Sequence, residues 1–424
     1  MTKNNARKKA ARARAAAERS SYVRAQRLER EAAEAREPRP GGPLRAPFAG
    51  QLVWARVLRP AMPLVYLDLN HYIYLAQASQ AGNPATMSAK LKPYAELADA
   101  ARNAKASGRA MFPLSNVHLM ELSKVTDPRQ RADVAAAMEE LSDFNYLLDR
   151  VTLAQLEMDA GLDRIYGAEK SLDEYLALVA PSFAHGFGRI VNLTVRDADG
   201  KDTSDQGRDL MGSEAFTRMF ATMNLEMERA MLRGPSDEEV PDLLGHGWDP
   251  DVFRRGQERR LGFELETKQT LVDNPQWLRG RLRDVISGRD VMHEWLDLFV
   301  KHLREREEDG LPHDLPSDAE MPGFWAAMPQ AQVAISVKTR YHRNLERSWK
   351  TNDICDIDAM SIAYPYCDAV FTDHEARAAL VDDRDLRRIS TFMPKRPEEL
   401  TAWLVDLPPV AEPTTLVPHP GAGG

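Results

Sequence analysis

Two short apolar runs constrain this chain more than any other feature. "PLVYLDLN" (63–70) and "DAVFTD" (368–373) each set consecutive aliphatic and aromatic residues in front of an aspartate. A stretch that is apolar at successive positions suits a strand covered on both faces, the pattern of a buried parallel sheet. Aspartate is rarely buried without a partner. Asp68 and Asp373, at the ends of these runs, therefore ask for one.

The flanking sequence agrees with such a sheet. A strand is expected at 51–57, a helix from "HYIYLAQASQ", and a helix over 90–108 ended by Gly108. A second short strand follows at 109–115. Ser115 or Asn116 then caps the helix "NVHLMELSKV", and 129–144 continues helical. The rhythm returns late in the chain: a helix around 356–366, the strand 368–373, the helix "HEARAAL", a strand at 387–392 and the helix "RPEELTAWL". Between the two halves lie mainly helical patterns at 152–165, 170–180, 213–233, 260–286, 289–308 and 322–348.

The expected fold class is α/β, a parallel sheet flanked by helices and split by a large helical insertion. Its expected parts are a basic helical arm and linker (1–48), a first α/β part (49–149), the insertion (150–348), a second α/β part (349–406) and a disordered tail (407–424).

Composition excludes several classes. Hydrophobic residues make up 43% and charged residues 28% of the 424, ordinary values for a globular protein. No apolar run reaches the roughly 18–20 residues of a membrane helix, and the N-terminus has no signal-like apolar core. Two cysteines, Cys355 and Cys367, cannot form a disulfide framework or a cysteine zinc site. A cytoplasmic setting without membrane contact is expected. The net charge is −8, yet residues 1–40 are strongly basic. A basic arm on an acidic body suits attraction to nucleic acid.

Acidic residues recur where sheet edges collect sites, at the carboxyl ends of parallel strands and the loops beyond. Asp68 and Asp373 end strands, Glu121 lies in the helix after the strand "AMF", and Asp356 lies near the start of the helix feeding "AVF". Asp353 sits one turn before it on the same face. Crowded acids raise one another's pKa unless a cation stands between them. Mg²⁺ or Mn²⁺, hard and oxygen-loving, is the natural occupant. Asp358 and Asp368 read as structural.

This ordered set resembles the PIN-like domain nuclease family, which it covers over about 62–145 and 350–406. "VYLDLN" supplies Asp68, "FPLSNVHLMEL" supplies Glu121, and "DICDIDAMSIAYPYCDAVFTD" supplies Asp356 and Asp373. The more than 200 residues between Glu121 and Asp356 depart from a compact domain of that type. The third station stays open among Asp353, Asp356 and Asp358; Asp356 keeps the family-like distance to Thr372.

The resemblance implies a metal-dependent hydrolase of phosphodiester bonds, an endonuclease acting on RNA rather than DNA and leaving a 5′-phosphate. Asp68, Glu121, Asp356 and Asp373 would be catalytic, and the same four with Asp353 would hold Mg²⁺ or Mn²⁺. Substrate contacts are expected from Asn70, His118, Arg347, Lys350, Thr372 and His374, with Trp349 or Tyr341 stacking a base. The helical insertion is the candidate surface for self-association or a partner protein. The alternative is a non-catalytic nucleic-acid- or protein-binding factor on a degenerate PIN scaffold.

Overall fold

Residues 48, 50–82, 86–167, 172–189, 194–197, 199, 201–236, 238–246, 249, 251–409 and 415–420 are described by the computed structural model. The basic arm lies outside them. The two apolar runs are neighbouring strands: β2 (Val65–Leu67) pairs in parallel with β6 (Ala369–Phe371), Leu67 opposite Phe371. Side chains alternate between two cores. Val65, Leu67, Ala369 and Phe371 enter one, Tyr66 and Val370 the other. That is why these strands carry no polar face.

Parallel bridges widen the pair. Leu64 bridges Met111, Leu114 bridges Tyr146 of β3 (Asn145–Leu147), and Ala369 bridges Phe392. The segments expected as strands at 109–115 and 387–392 thus join through single bridges rather than full ladders. β1 (Val57–Pro60) begins where the expected strand 51–57 was to end. Overall the molecule is mixed α/β, predominantly helical with small sheets. Among the described residues no helix is long and apolar enough to cross a membrane.

The insertion departs from expectation in three places. Residues 176–181 form β4 (Leu176–Ala177), parallel to β1, and β5 (Val179–Pro181), antiparallel to β3. The run "LALVA" is compatible with helix or strand, and the open edges of two sheets decide for strand. The stretch 260–286 breaks at Pro275, giving helices Val252–Asp273 and Leu282–Asp290. Proline removes a donor and disfavours helix at the residue before it. Pro329 likewise opens the helix Pro329–His342 after Met321–Ala327.

One hydrophobic core runs across the expected boundary at 150. Leu153 of helix Arg150–Tyr166 and Val333, Val337 and Tyr341 of Pro329–His342 share a core with Ile354 and Ile357. Gly161 marks how tightly the pieces interlock: a Cβ there would stand 2.7 Å from the Phe324 ring. The tail is ordered in part. β7 (Leu416–Pro418) pairs antiparallel with β1, and His419 stacks on Trp54 at 4.6 Å. The hydrogen-bonding edge of β1 offers partners that composition alone did not reveal.

One buried acid carries a pH prediction. The hydroxyl of Tyr366 donates to Glu157 Oε1 at 2.6 Å and accepts from the Ala55 amide at 3.0 Å. Burial pushes the Glu157 carboxyl up to about 8, against its hydrogen bonds from Tyr366 and Gln330. The folded protein therefore holds a proton that the unfolded chain releases near 4.5. Stability falls as pH rises from there to about 8, at up to about 1.4 kcal/mol per pH unit. Glu157→Gln, which keeps an acceptor for Tyr366, is expected to flatten that slope and to be the more stable protein at pH 9. Urea melts at pH 5, 7 and 9 check this; parallel slopes would refute it.

Candidate metal centre at the ends of two parallel strands

In-register parallel strands end together, so β2 and β6 deliver Asp68 and Asp373 to one place. The Asp68 amide donates to the Phe371 carbonyl at 2.9 Å, and Thr372 Oγ1 donates to Asp68 Oδ2 at 3.2 Å. Asp373 caps helix His374–Val381, its Oδ1 accepting from Ala376 at 2.9 Å. Asp356 arrives from the second turn of helix Thr351–Tyr366. Carboxylate oxygens of Asp68, Asp356 and Asp373 all lie within 4.8 Å of one another.

Burial and mutual repulsion dominate the electrostatics. Burial, then the charges of Asp68, Glu121, Asp373 and Asp353, pushes Asp356 up to about 9. Burial and the nearby Asp373 raise Asp68 to about 6, against the Thr372 hydroxyl and the amides of Leu69 and Asn70. Glu121, in helix Asn116–Leu122, stands beside the triad; burial and Asp68 raise it to about 8 while Lys124 pulls the other way. A divalent cation would relieve this repulsion. Three carboxylates without His or Cys suit a hard ion such as Mg²⁺ or Mn²⁺.

Other expected residues stand elsewhere. Asp353 is engaged away from the triad: Oδ2 accepts from the Lys350 amide at 2.7 Å and Oδ1 from Arg347 at 2.6 Å. It caps the helix and anchors Arg347, a correction to its reading as a ligand. His118 is fully buried. Its Nδ1 accepts from the Ser115 amide at 2.9 Å, so Nε2 carries the proton donated to the Leu67 carbonyl at 2.8 Å. Burial lowers its pKa to about 4. It ties helix to strand and cannot reach substrate.

Trp349 and Tyr341 are buried against each other at 5.7 Å, which removes both as base-stacking platforms. Arg347 lies 3.7 Å over the Tyr341 ring and also pairs with Glu375. Asn70, Lys350 and His374 are exposed, and Thr372 is buried on Asp68. Asp358 and Asp368 pair with Arg260 and Arg59.

Two neighbours escaped the sequence reading. Lys124, one turn after Glu121, donates to Asn352 Oδ1 at 3.1 Å and contacts Cys355 Sγ at 3.4 Å. Glu375 holds Arg347 from the first turn after Asp373. The only signal was spacing from an acidic station, which many surface residues share. Comparison of the chain with protein-family models, with curated proteins and with solved structures finds no match.

Proposed function

We propose that this protein is a Mg²⁺- or Mn²⁺-dependent nuclease built on a PIN-like sheet, with single-stranded RNA as its substrate. The convergence of Asp68, Asp356 and Asp373 within 4.8 Å carries the reading. Parallel bridging from Tyr146 through Leu114 and from Met111 through β2 and β6 to Phe392 supports the scaffold. Buried, unpaired Cys355 and Cys367 suit a reducing cytoplasm.

The triad would hold the cation. When bound, such an ion lowers the pKa of water and neutralises charge on the phosphate being cut. The chain's own residues do the rest. Thr372 orients Asp68 through its hydroxyl. Glu121, whose carboxyl burial and Asp68 raise to about 8 when no cation is present, would be the proton acceptor for the attacking water once the cation's charge had drawn its own proton off. Exposed Lys350 and His374 flank the triad in sequence and contact the strand's phosphates. Attack is in line at phosphorus, with the 3′-oxygen leaving.

The test is cleavage of labelled single-stranded RNA and matching DNA with Mn²⁺ or EDTA, alongside Asp68→Asn. Cutting should require the metal and fall on the order of a thousandfold in the variant, the equivalent of several kcal/mol in the transition state. Cutting that survives Asp68→Asn, or no cutting of either strand, would sink the proposal; undiminished binding without cutting would favour a non-catalytic binding factor.

A further inference from the structure

A cleft of about 590 Å³ opens where the insertion meets the α/β body. Its walls come from the start of helix Leu282–Asp290, one side of Pro329–His342, and the far end of His374–Val381 with the turn beyond. Four arginines from three chain segments line it: Arg283, Arg340, Arg343 and Arg384. Concentrating them in a concave site is unusual on a chain of net charge −8.

The arginines divide by partner. Arg283 is held in place: it donates to Ser336 Oγ at 3.0 Å and Gln332 Oε1 at 2.8 Å, and pairs with Asp383 and Asp385 at 3.2 and 3.0 Å. That pairing engages two of the cleft's three acids, and four arginines against three aspartates leave the lining with a net positive charge. Arg340, Arg343 and Arg384 are exposed, and among the described residues no side chain pairs with them. Asp382 is the remaining acid in the lining. The free guanidiniums thus outnumber the free acid, and a guanidinium fork is matched to phosphate oxygens.

Position identifies the ligand. Helix His374–Val381 joins the two features: Asp373 caps its start at the carboxylate triad, while Ala378 and Ala379 near its end line the cleft. The five to six residues from Asp373 to Ala378 and Ala379, at about 1.5 Å rise each, separate them by about 8–9 Å. At about 3.4 Å of rise per nucleotide, that is a span of a few nucleotides. Arg340 and Arg343 flank Tyr341, whose hydroxyl feels the charges of Asp356 and Asp373.

We propose that the arginine-lined cleft between the insertion and helix His374–Val381 is a phosphate-backbone site, holding the substrate strand a few nucleotides from the scissile bond. It rests on the nuclease reading and gives the insertion a role, because Arg283 and the wall it anchors belong to the insertion.

The test uses the full chain in EDTA, where no cutting can obscure binding. A labelled 12-nucleotide single-stranded RNA is titrated across salt concentrations against the parent and the triple variant Arg340→Gln/Arg343→Gln/Arg384→Gln. Parent binding should weaken with salt. The variant should bind at least about tenfold more weakly at low salt, with its log–log salt slope flatter by about 2, as expected for three lost contacts to a single strand. These side chains are exposed and unpaired, so melting temperature should not move.

Equal affinity and equal slope would overturn the cleft assignment while leaving metal-dependent cutting, and hence the nuclease reading, intact. A parent that binds inorganic phosphate or a mononucleotide as tightly as the strand, with the same arginine dependence, would make this a small-anion site and also overturn it. If the parent fails to bind the strand, the cleft proposal falls, and the cutting assay with Asp68→Asn decides the nuclease reading separately.

Discussion

Asp356→Asn is expected to leave the metal-free protein as stable as its parent at pH 7 and to abolish the stabilisation conferred by Mn²⁺. With its carboxyl raised to about 9, Asp356 is neutral at pH 7 when no cation is present. Asparagine copies the shape and neutrality of that protonated acid. The parent can give up the proton and offer the cation a charged carboxylate; the variant can offer only a neutral amide oxygen. At a free Mn²⁺ concentration about a hundredfold above its dissociation constant, the parent should gain about 2.7 kcal/mol.

The sign with pH follows. Between 3.8 and about 9 the folded parent binds a proton that the unfolded chain has released, so metal-free stability falls as pH rises through that window. The Mn²⁺ gain should grow over the same range, since fewer protons must be displaced. Thermal melts with Mn²⁺ and with EDTA at pH 6 and 8 measure both. A full Mn²⁺ shift in Asp356→Asn would remove Asp356 from the ligand set.

The second large effect lies away from the triad. Lys338 is buried, its ammonium 2.8 Å from Glu264, 2.7 Å from Asp290 and 3.7 Å from Glu294. Burial alone would raise Glu264, but Lys338 and His342 outweigh it and hold the carboxyl at about 2. Lys338→Met matches the stem's volume and strands two acids in the interior. A loss of about 3–5 kcal/mol is expected, the cost of breaking a buried pair by removing one partner. Adding Asp290→Asn to that variant should recover part of the loss. Denaturant unfolding of the parent and both variants measures it, and a loss under about 1 kcal/mol would show that the acids find water or protons instead.

This network also reaches the site. Glu294 pairs with Arg150 and Arg260, and Arg260 pairs with Asp358, two residues beyond Asp356 on the same helix. Lys338→Met should therefore also weaken the Mn²⁺ shift, by loosening helix Thr351–Tyr366 where it presents Asp356.

The segment "NDICDIDAM" shows what could be read in advance. Local chemistry determines that its aspartates fall on a helix. At 100° per residue Asp353 and Asp356 share a side, whereas Asp358 turns away from Asp356. The two apolar runs likewise determine strands covered on both faces, because a run's apolarity is a local property; their in-register parallel pairing, which puts Asp68 and Asp373 at one edge, is tertiary. Ser115 as the cap of helix Asn116–Leu122 is legible for the same local reason.

Tertiary structure decided the rest. Arg347 and the Lys350 amide claim Asp353, Arg260 from the insertion claims Asp358, and Asp356 alone of the three is left facing Asp68 and Asp373. His118, beside an acidic station in sequence, is taken by the Leu67 carbonyl of a neighbouring strand. Partners such as Arg260 and Leu67 lie tens of residues or more away along the chain. No local pattern specifies which buried carboxylate meets a guanidinium and which meets two others of its own charge. Folding settles that by bringing distant donors within hydrogen-bond reach of some acids and leaving the others to a cation.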